Sequence, residues 1–203
     1  MHQRVMGYID GFNLYFGLRD SGWERLLWLD PVLLIEKLLK PHQELIGVRY
    51  FTARLSGPGP KWEQQGIFLD ALSGRDRCTL HLGQYQTELR RCSRCRLETP
   101  VSSEKMTDVK IATEMLADGF QGAFDSAILV SGDGDLAPAL RKVRDLSGKR
   151  TIVAFPPKRS SGLLKTAAHA WFHIGRDKLA ASQLPDQIVT AAGVVLERPT
   201  DWR

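Results

Sequence analysis

Cysteine is scarce in this chain. Its 203 residues include three, Cys78, Cys92 and Cys95, too few for the disulfide framework of a small secreted domain. Long apolar runs are also missing. None approaches the roughly 20 residues that a bilayer-spanning helix needs. The first residues alternate apolar with polar and charged positions and do not read as a secretory signal, so the expected compartment is the cytoplasm. There is no Gly-x-x-x-x-Gly-Lys-Ser/Thr loop, and no Gly-x-Gly-x-x-Gly opens a helix after the first strand, which argues against a nucleotide-binding enzyme of either common type. A small-molecule phosphatase is disfavoured too, because Ser131-Gly132-Asp133-Gly134-Asp135 holds no cysteine or histidine nucleophile, although an aspartate nucleophile stays open.

The remaining composition is that of an ordinary globular domain, 43% hydrophobic and 25% charged, long enough to bury a sizeable core. The formal net charge of +5 is compatible with a polyanionic partner but does not require one.

Two stretches share one design. Ala127-Ile128-Leu129-Val130 is short and rich in branched residues, so it reads as a buried strand. It ends in Ser131-Gly132 and delivers Asp133 and Asp135 just beyond its carboxyl end. Val5 to Ile9 is likewise apolar and ends in Asp10-Gly11, with Asn13 one helical turn further on. Open parallel sheets bind ligands beyond the carboxyl ends of their strands, so these acids are candidate site residues. Asp10 and Asn13 equally suit the cap of the helix that follows, and residue chemistry alone does not separate the two readings.

Between these stretches, Asp30-Pro31 starts a capped helix with an apolar face, Glu44 to Leu55 reads as a strand, and Ser56 to Pro60 as a mobile surface loop. Lys61 to Ser73 returns to helical spacing, and Cys78 to Tyr85 alternates as a strand does. Ser103 is expected to cap a helix running to about Asp118, stopped by Gly119, with Glu104 and Asp108 on one side of its first turn. Acids there also suit the helix dipole. After the second acidic stretch come a helix from Leu136 to Ser147, a strand from Arg150 to Phe155 and a basic loop carrying Lys158 and Arg159. A short helix from Leu163 to His169 and a strand from Ala170 to Ile174 follow. Alternating strands and helices predict an α/β domain with a mostly parallel sheet covered on both faces. Residues 1–180 are expected to form it, and 181–203 a tail packed on the domain or on a second copy.

The segments YIDGFNLY, EKMTDVKIATEMLADGF and AILVSGDGDLAPALRKVRDLSGKRTIVAFPP together resemble the NYN domain of the LabA/DUF88 family, a branch of the PIN-like nucleases. The resemblance runs from about Arg4 to Asp177 and implies a three-layer α/β/α, Rossmann-like fold. It also implies metal-dependent hydrolysis of RNA phosphodiester bonds, with Asp10, Asp108, Asp133 and Asp135 as the catalytic, metal-binding carboxylates. An all-oxygen donor set suits Mg²⁺ or Mn²⁺. Asn13 and Ser131 would orient the phosphate or the carboxylates, with Glu104 a weaker acidic candidate, and a homodimer is a further implication. The alternative is an RNA-binding or regulatory module that retains the acidic pocket with little activity.

Residues 86–102 read as a basic insertion. Arg90, Arg91, Arg94 and Arg96 surround Cys92 and Cys95. The arginines read either as a solvated loop or as a flap touching phosphates, a role that Lys158 and Arg159 would share from the opposite loop. The Cys-x-x-Cys pair is half of a tetrahedral zinc site. The resemblance extends to relatives with a comparable pair, so structural Zn²⁺, within one chain or shared by two, stands beside a reduced hairpin tip. Cys78 and His81 are candidate further ligands, although a strand would place them on opposite faces.

Overall fold

Side chains that are apolar on both faces put the first strand at the centre of the sheet. The structure is a computed structural model and describes residues 2–55, 59–91 and 93–203. In it, β1 (Gln3–Asp10) lies between β2 (Gln43–Ala53) and β5 (Ser126–Val130), parallel to both. The chain runs outward on one side through β3 (Cys78–Arg91), then crosses back to β5 and continues through β6 (Arg150–Phe155) to β7 (Ala170–His173). Those six strands are parallel. β4 (Glu98–Lys105) adds to the edge of β3 in the opposite direction. The reversal of strand order between β1 and β5 makes a topological switch point, and a crevice opens there at the carboxyl ends.

One face is covered by α1 (Gly11–Asp20), α2 (Pro31–Leu38), α3 (Pro60–Ser73) and α7 (Arg176–Ala180), packed around Trp28, Leu34, Ile35 and Leu72. The other is covered by α4 (Thr107–Phe120), α5 (Ala137–Ser147) and α6 (Gly162–Ala167), around Tyr8, Ile111, Met115 and Phe155. Local chemistry explains several boundaries. Asp30 accepts the Val32 and Leu33 N–H groups at 2.9 and 3.0 Å and so caps α2, whose first residue is Pro31. Gly148, at φ 65°, closes α5.

The helix expected from Ser103 begins later. Residues 98–105 are strand β4, paired from Gln84↔Lys105 to Arg91↔Glu98, and α4 starts at Thr107 after a left-handed turn at Met106. The extended β3 presents an unpaired edge, and main-chain pairing along it outweighs the local capping preference of Ser103. Glu104 therefore lies in a strand, Asp108 alone occupies the first turn, and Gly119 does not stop α4, which runs to Phe120. The loop expected at Ser56 to Pro60 falls mostly outside the described residues.

After α7 the chain forms a hairpin of β8 (Gln187–Val189) and β9 (Val195–Glu197), then a final turn that returns Trp202 to the domain. Trp202 sits 6.3 Å from the ring of Trp28 and 5.9 Å from that of Phe68, and the Trp28 indole N–H donates to the Pro185 carbonyl at 2.7 Å. The last residues are thus packed against α3 and the segment before α2.

An ionic clamp closed on a buried carboxylate, Asp118, holds α4. Arg49 of β2 donates through Nε and Nη2 to the Asp118 carboxylate at 2.7 and 2.6 Å, and the Tyr8 hydroxyl donates to the same group at 2.6 Å. Arg49 also pairs with Glu114 at 3.2 Å. Arg49→Met strands the Asp118 charge in the interior, and the expected loss is roughly 3–5 kcal/mol. Adding Asp118→Asn removes the orphaned charge and should recover part of that loss, as read from urea midpoints of both variants; equal losses would contradict the clamp.

Candidate active site

Each candidate side chain of the acidic site is placed by the end of a regular element. Asp10 closes β1 and begins α1; its Oδ1 accepts the Asn13 N–H at 3.0 Å, so the capping role is real. Its other oxygen, Oδ2, accepts the Ser131 hydroxyl at 2.9 Å from the end of β5. Ser131 Oγ in turn accepts the Asp133 N–H at 3.0 Å, and Asp133 Oδ1 accepts the Asp135 N–H at 2.9 Å. Asn13 Oδ1 completes the joint by accepting the Gly132 N–H at 2.8 Å. The two strand ends are therefore stitched together by Asn13 and Ser131.

Close backbone approach makes this joint possible. A Cβ on Gly11 would stand 2.7 Å from the Phe51 carbonyl oxygen, and one on Gly132 would stand 2.7 Å from Arg159 Cβ. Only a residue without a side chain allows either approach.

The carboxylates differ in surroundings. Asp10 is buried, Asp133 half-buried, and Asp135 and Asp108 are exposed. Burial pushes the Asp10 carboxyl up to about 6, against the hydrogen bonds from Asn13 and Ser131, with Asp108 and Asp133 adding like-charge repulsion. Asp108 is raised as well, first by desolvation of its carboxyl and then by Asp133 and Asp135. Four acids from β1, the β5 loop and α4 thus act on one another across the crevice. Among the described residues, no three His, Cys, Asp or Glu side chains stand close enough to hold a metal ion jointly.

The basic candidates are distributed differently. Lys158 donates to the Asp20 carbonyl at 2.6 Å and Arg159 is ion-paired with the Asp20 carboxylate, so both are tied to the end of α1. Asp20 carries no signal in the sequence that marks it as their partner. Arg91 and Arg94 are exposed on the β3–β4 hairpin. Arg90 lies in β3, and its side chain and the whole of Cys92 fall outside the described residues, as does the side chain of Glu104. Cys95 is exposed near the hairpin tip. Cys78 packs in the first core layer, where burial pushes its thiol up to about 12, while His81 stacks on Phe51 at 4.7 Å in the other layer. The two lie on opposite faces of β3 and do not form a shared zinc site.

The sequence model of the NYN domain family matches residues 4–174. Among curated proteins, 6-hydroxy-3-succinoylpyridine 3-monooxygenase HspA of Pseudomonas putida is 28% identical over 239 residues, which span 98% of this chain and 75% of that protein. Among solved structures, a Vibrio parahaemolyticus protein of unknown function superposes with a TM-score of 0.56 at 17% identity, covering 90% of this chain and 97% of its own. That likeness is one of fold.

The folded-state value of Asp10 lies above the ordinary carboxylate range, so the native state binds the proton more tightly than the unfolded chain. The resulting penalty is absent below about pH 4, grows as pH rises to about 6, and stays constant above it. Asp10→Asn should therefore raise stability at pH 7.5 in EDTA, by at most about 3 kcal/mol, and the gain should vanish near pH 4. Thermal melts of both proteins across that range check the sign; a gain that persists at pH 4 would contradict it.

Proposed function

The chain belongs to the NYN domain family of PIN-like nucleases, and from that premise we propose that it is a metal-dependent ribonuclease of the LabA/DUF88 branch, hydrolysing RNA phosphodiester bonds in the crevice at the switch point. One observation carries the reading. Asp10 and Asp133, from separate strands, are joined through Ser131, and both share an electrostatic field with Asp108.

The donor set fits a hard divalent cation. All four acids offer oxygen, their mutual repulsion favours a positive charge between them, and Mg²⁺ commonly uses only one or two carboxylates while keeping several waters. One or two of Asp10, Asp108, Asp133 and Asp135 would bind it directly and the others through its waters. When bound, such an ion supplies a water of lowered pKa and neutralises charge on phosphate oxygens. The chain's own residues do the positioning. Ser131 holds Asp10 by its hydroxyl and the Asp133 backbone by its oxygen, and Asn13 fixes the Gly132 peptide, so the carboxylates sit on a rigid joint.

A second reading, an RNA-binding or regulatory module with a retained but weakly active pocket, has one observation in its favour: no three donors are already gathered around a single point among the described residues. Labelled single-stranded RNA incubated with Mn²⁺, Mg²⁺ or EDTA separates the two. Nuclease function predicts metal-dependent cleavage that falls about a hundredfold or more in Asp133→Asn, the effect of withdrawing several kcal/mol of charge stabilisation. RNA binding without cleavage under either metal favours the module.

The hairpin arginines are proposed as phosphate-binding groups. Replacing Arg90, Arg91, Arg94 and Arg96 together by alanine should weaken RNA binding and flatten its salt dependence, by up to about 0.7 in log–log slope for each phosphate no longer neutralised. An unchanged slope removes the hairpin from the interface.

A further inference from the structure

Beside the acidic crevice, on the face covered by α1 and α3, lies a cavity of about 290 Å³. Gly11, the residue that follows Asp10, is part of its wall, so the cavity begins one residue from the site. Phe12, Tyr15, Tyr50, Phe68 and Trp202 line it with aromatic surface. Two cations, Arg19 and Lys61, line both the cavity and the vestibule outside it. Both are exposed, and neither is ion-paired with a described residue; Arg19 lies over the Tyr15 ring at 5.6 Å. Two carboxylates, Glu24 and Asp201, occur only in the vestibule, and Asp201 accepts the Gln64 side-chain amide at 2.6 Å.

An apolar, aromatic lining with a pair of cations at its edge recognises a flat ring that carries an anionic group. Single-stranded RNA presents that combination at every nucleotide, as a base able to leave its stack and settle on aromatic side chains and a phosphate for the adjacent cations. We infer that this cavity is a ribonucleotide subsite, holding one unstacked base against the aromatic wall with the attached phosphate on Arg19 and Lys61. This rests on the reading of the chain as an RNA-acting protein. The subsite places a nucleotide at a defined offset from Asp10 and makes Arg19 and Lys61 substrate-binding residues.

Calorimetric titration of the intact chain in EDTA tests this apart from catalysis. The probes are uridine 5′-monophosphate, adenosine 5′-monophosphate, uridine and benzoate, and the proteins are the wild type, Asp133→Asn and Arg19→Ala/Lys61→Ala. The expectation is nucleotide binding by the wild type, and binding no weaker by Asp133→Asn, which has one repelling carboxylate fewer. It should weaken at least tenfold in the double variant, since the loss of even one charge-assisted hydrogen bond costs about that factor or more, and uridine should bind more weakly than its monophosphate by a similar factor. Nucleotide affinity unchanged in the double variant, or no nucleotide binding at all, overturns the subsite, and benzoate binding without nucleotide binding assigns the cavity to small aromatic acids instead. Cleavage without nucleotide binding refutes the subsite and leaves the acidic centre standing. Nucleotide binding that depends on the two cations, without cleavage, supports the subsite and refutes hydrolysis.

Discussion

Everything near the crevice depends on one buried carboxylate. Asp10 is buried at the centre of the sheet, where an ionised acid is costly, and its two oxygens are committed to different elements. One caps α1 through the Asn13 N–H, and the other receives the hydroxyl of Ser131 at the end of β5. The same residue thus sets where α1 begins and how the two central strands end relative to each other. Hydrogen bonds to the charged form offset part of the burial cost but leave the carboxyl raised. A group that is held this firmly and still disfavoured as an anion is poised to gain from a nearby positive charge. That imbalance connects fold stability to the chemistry proposed for the crevice.

The second constraint acts through α4, which carries an acid of each kind. Asp118, near its end, is buried and satisfied by Arg49 and Tyr8, so it ties the helix to β1 and β2. Asp108, in the first turn, is exposed at the crevice and has like charges for neighbours. A rigid helix transmits the position fixed at one end to the other. The Arg49 clamp, together with Ile111 and Met115 in the core, therefore decides how near Asp108 comes to Asp133. The Lys110 ammonium, donating to the Leu82 carbonyl, adds an anchor at the first turn.

Legibility in the sequence depends on whether a feature is local. The ends of β1 and β5, the Asp30 cap with Pro31, and the Gly148 stop are written in consecutive residues, and the structure has them where residue chemistry puts them. Residues 98–105 mislead because their fate is decided by a partner: a polar stretch containing a good capping serine becomes a strand only because β3 extends beside it. The approach of Asp108 to Asp10 is readable only through family resemblance, since no spacing relates positions so far apart in the chain. The tethering of Lys158 and Arg159 to Asp20 is invisible for the same reason. The aromatic cavity draws on α1, β2, α3 and the last turn of the chain, so no single window of sequence contains its pattern.

Charge completes the picture through what is already spent. Several cations near the sheet are neutralised internally: Arg49 by Asp118 and Glu114, Arg75 by Asp30, Arg159 by Asp20. Among the described residues, Arg91, Arg94 and Arg96 of the hairpin and Arg19 and Lys61 beside the cavity are exposed and in no such ion pair, so their charge is available to a polyanion. A crevice lined by four acids repels a phosphate chain, so the chain must be drawn in from flanking groups before an ion between the acids can take over. In the arrangement proposed above, the hairpin and the cavity rim would do the attracting, and Asp10, Asp108, Asp133 and Asp135 would not bind the nucleic acid by themselves. Affinity and chemistry would then be divided between different residues.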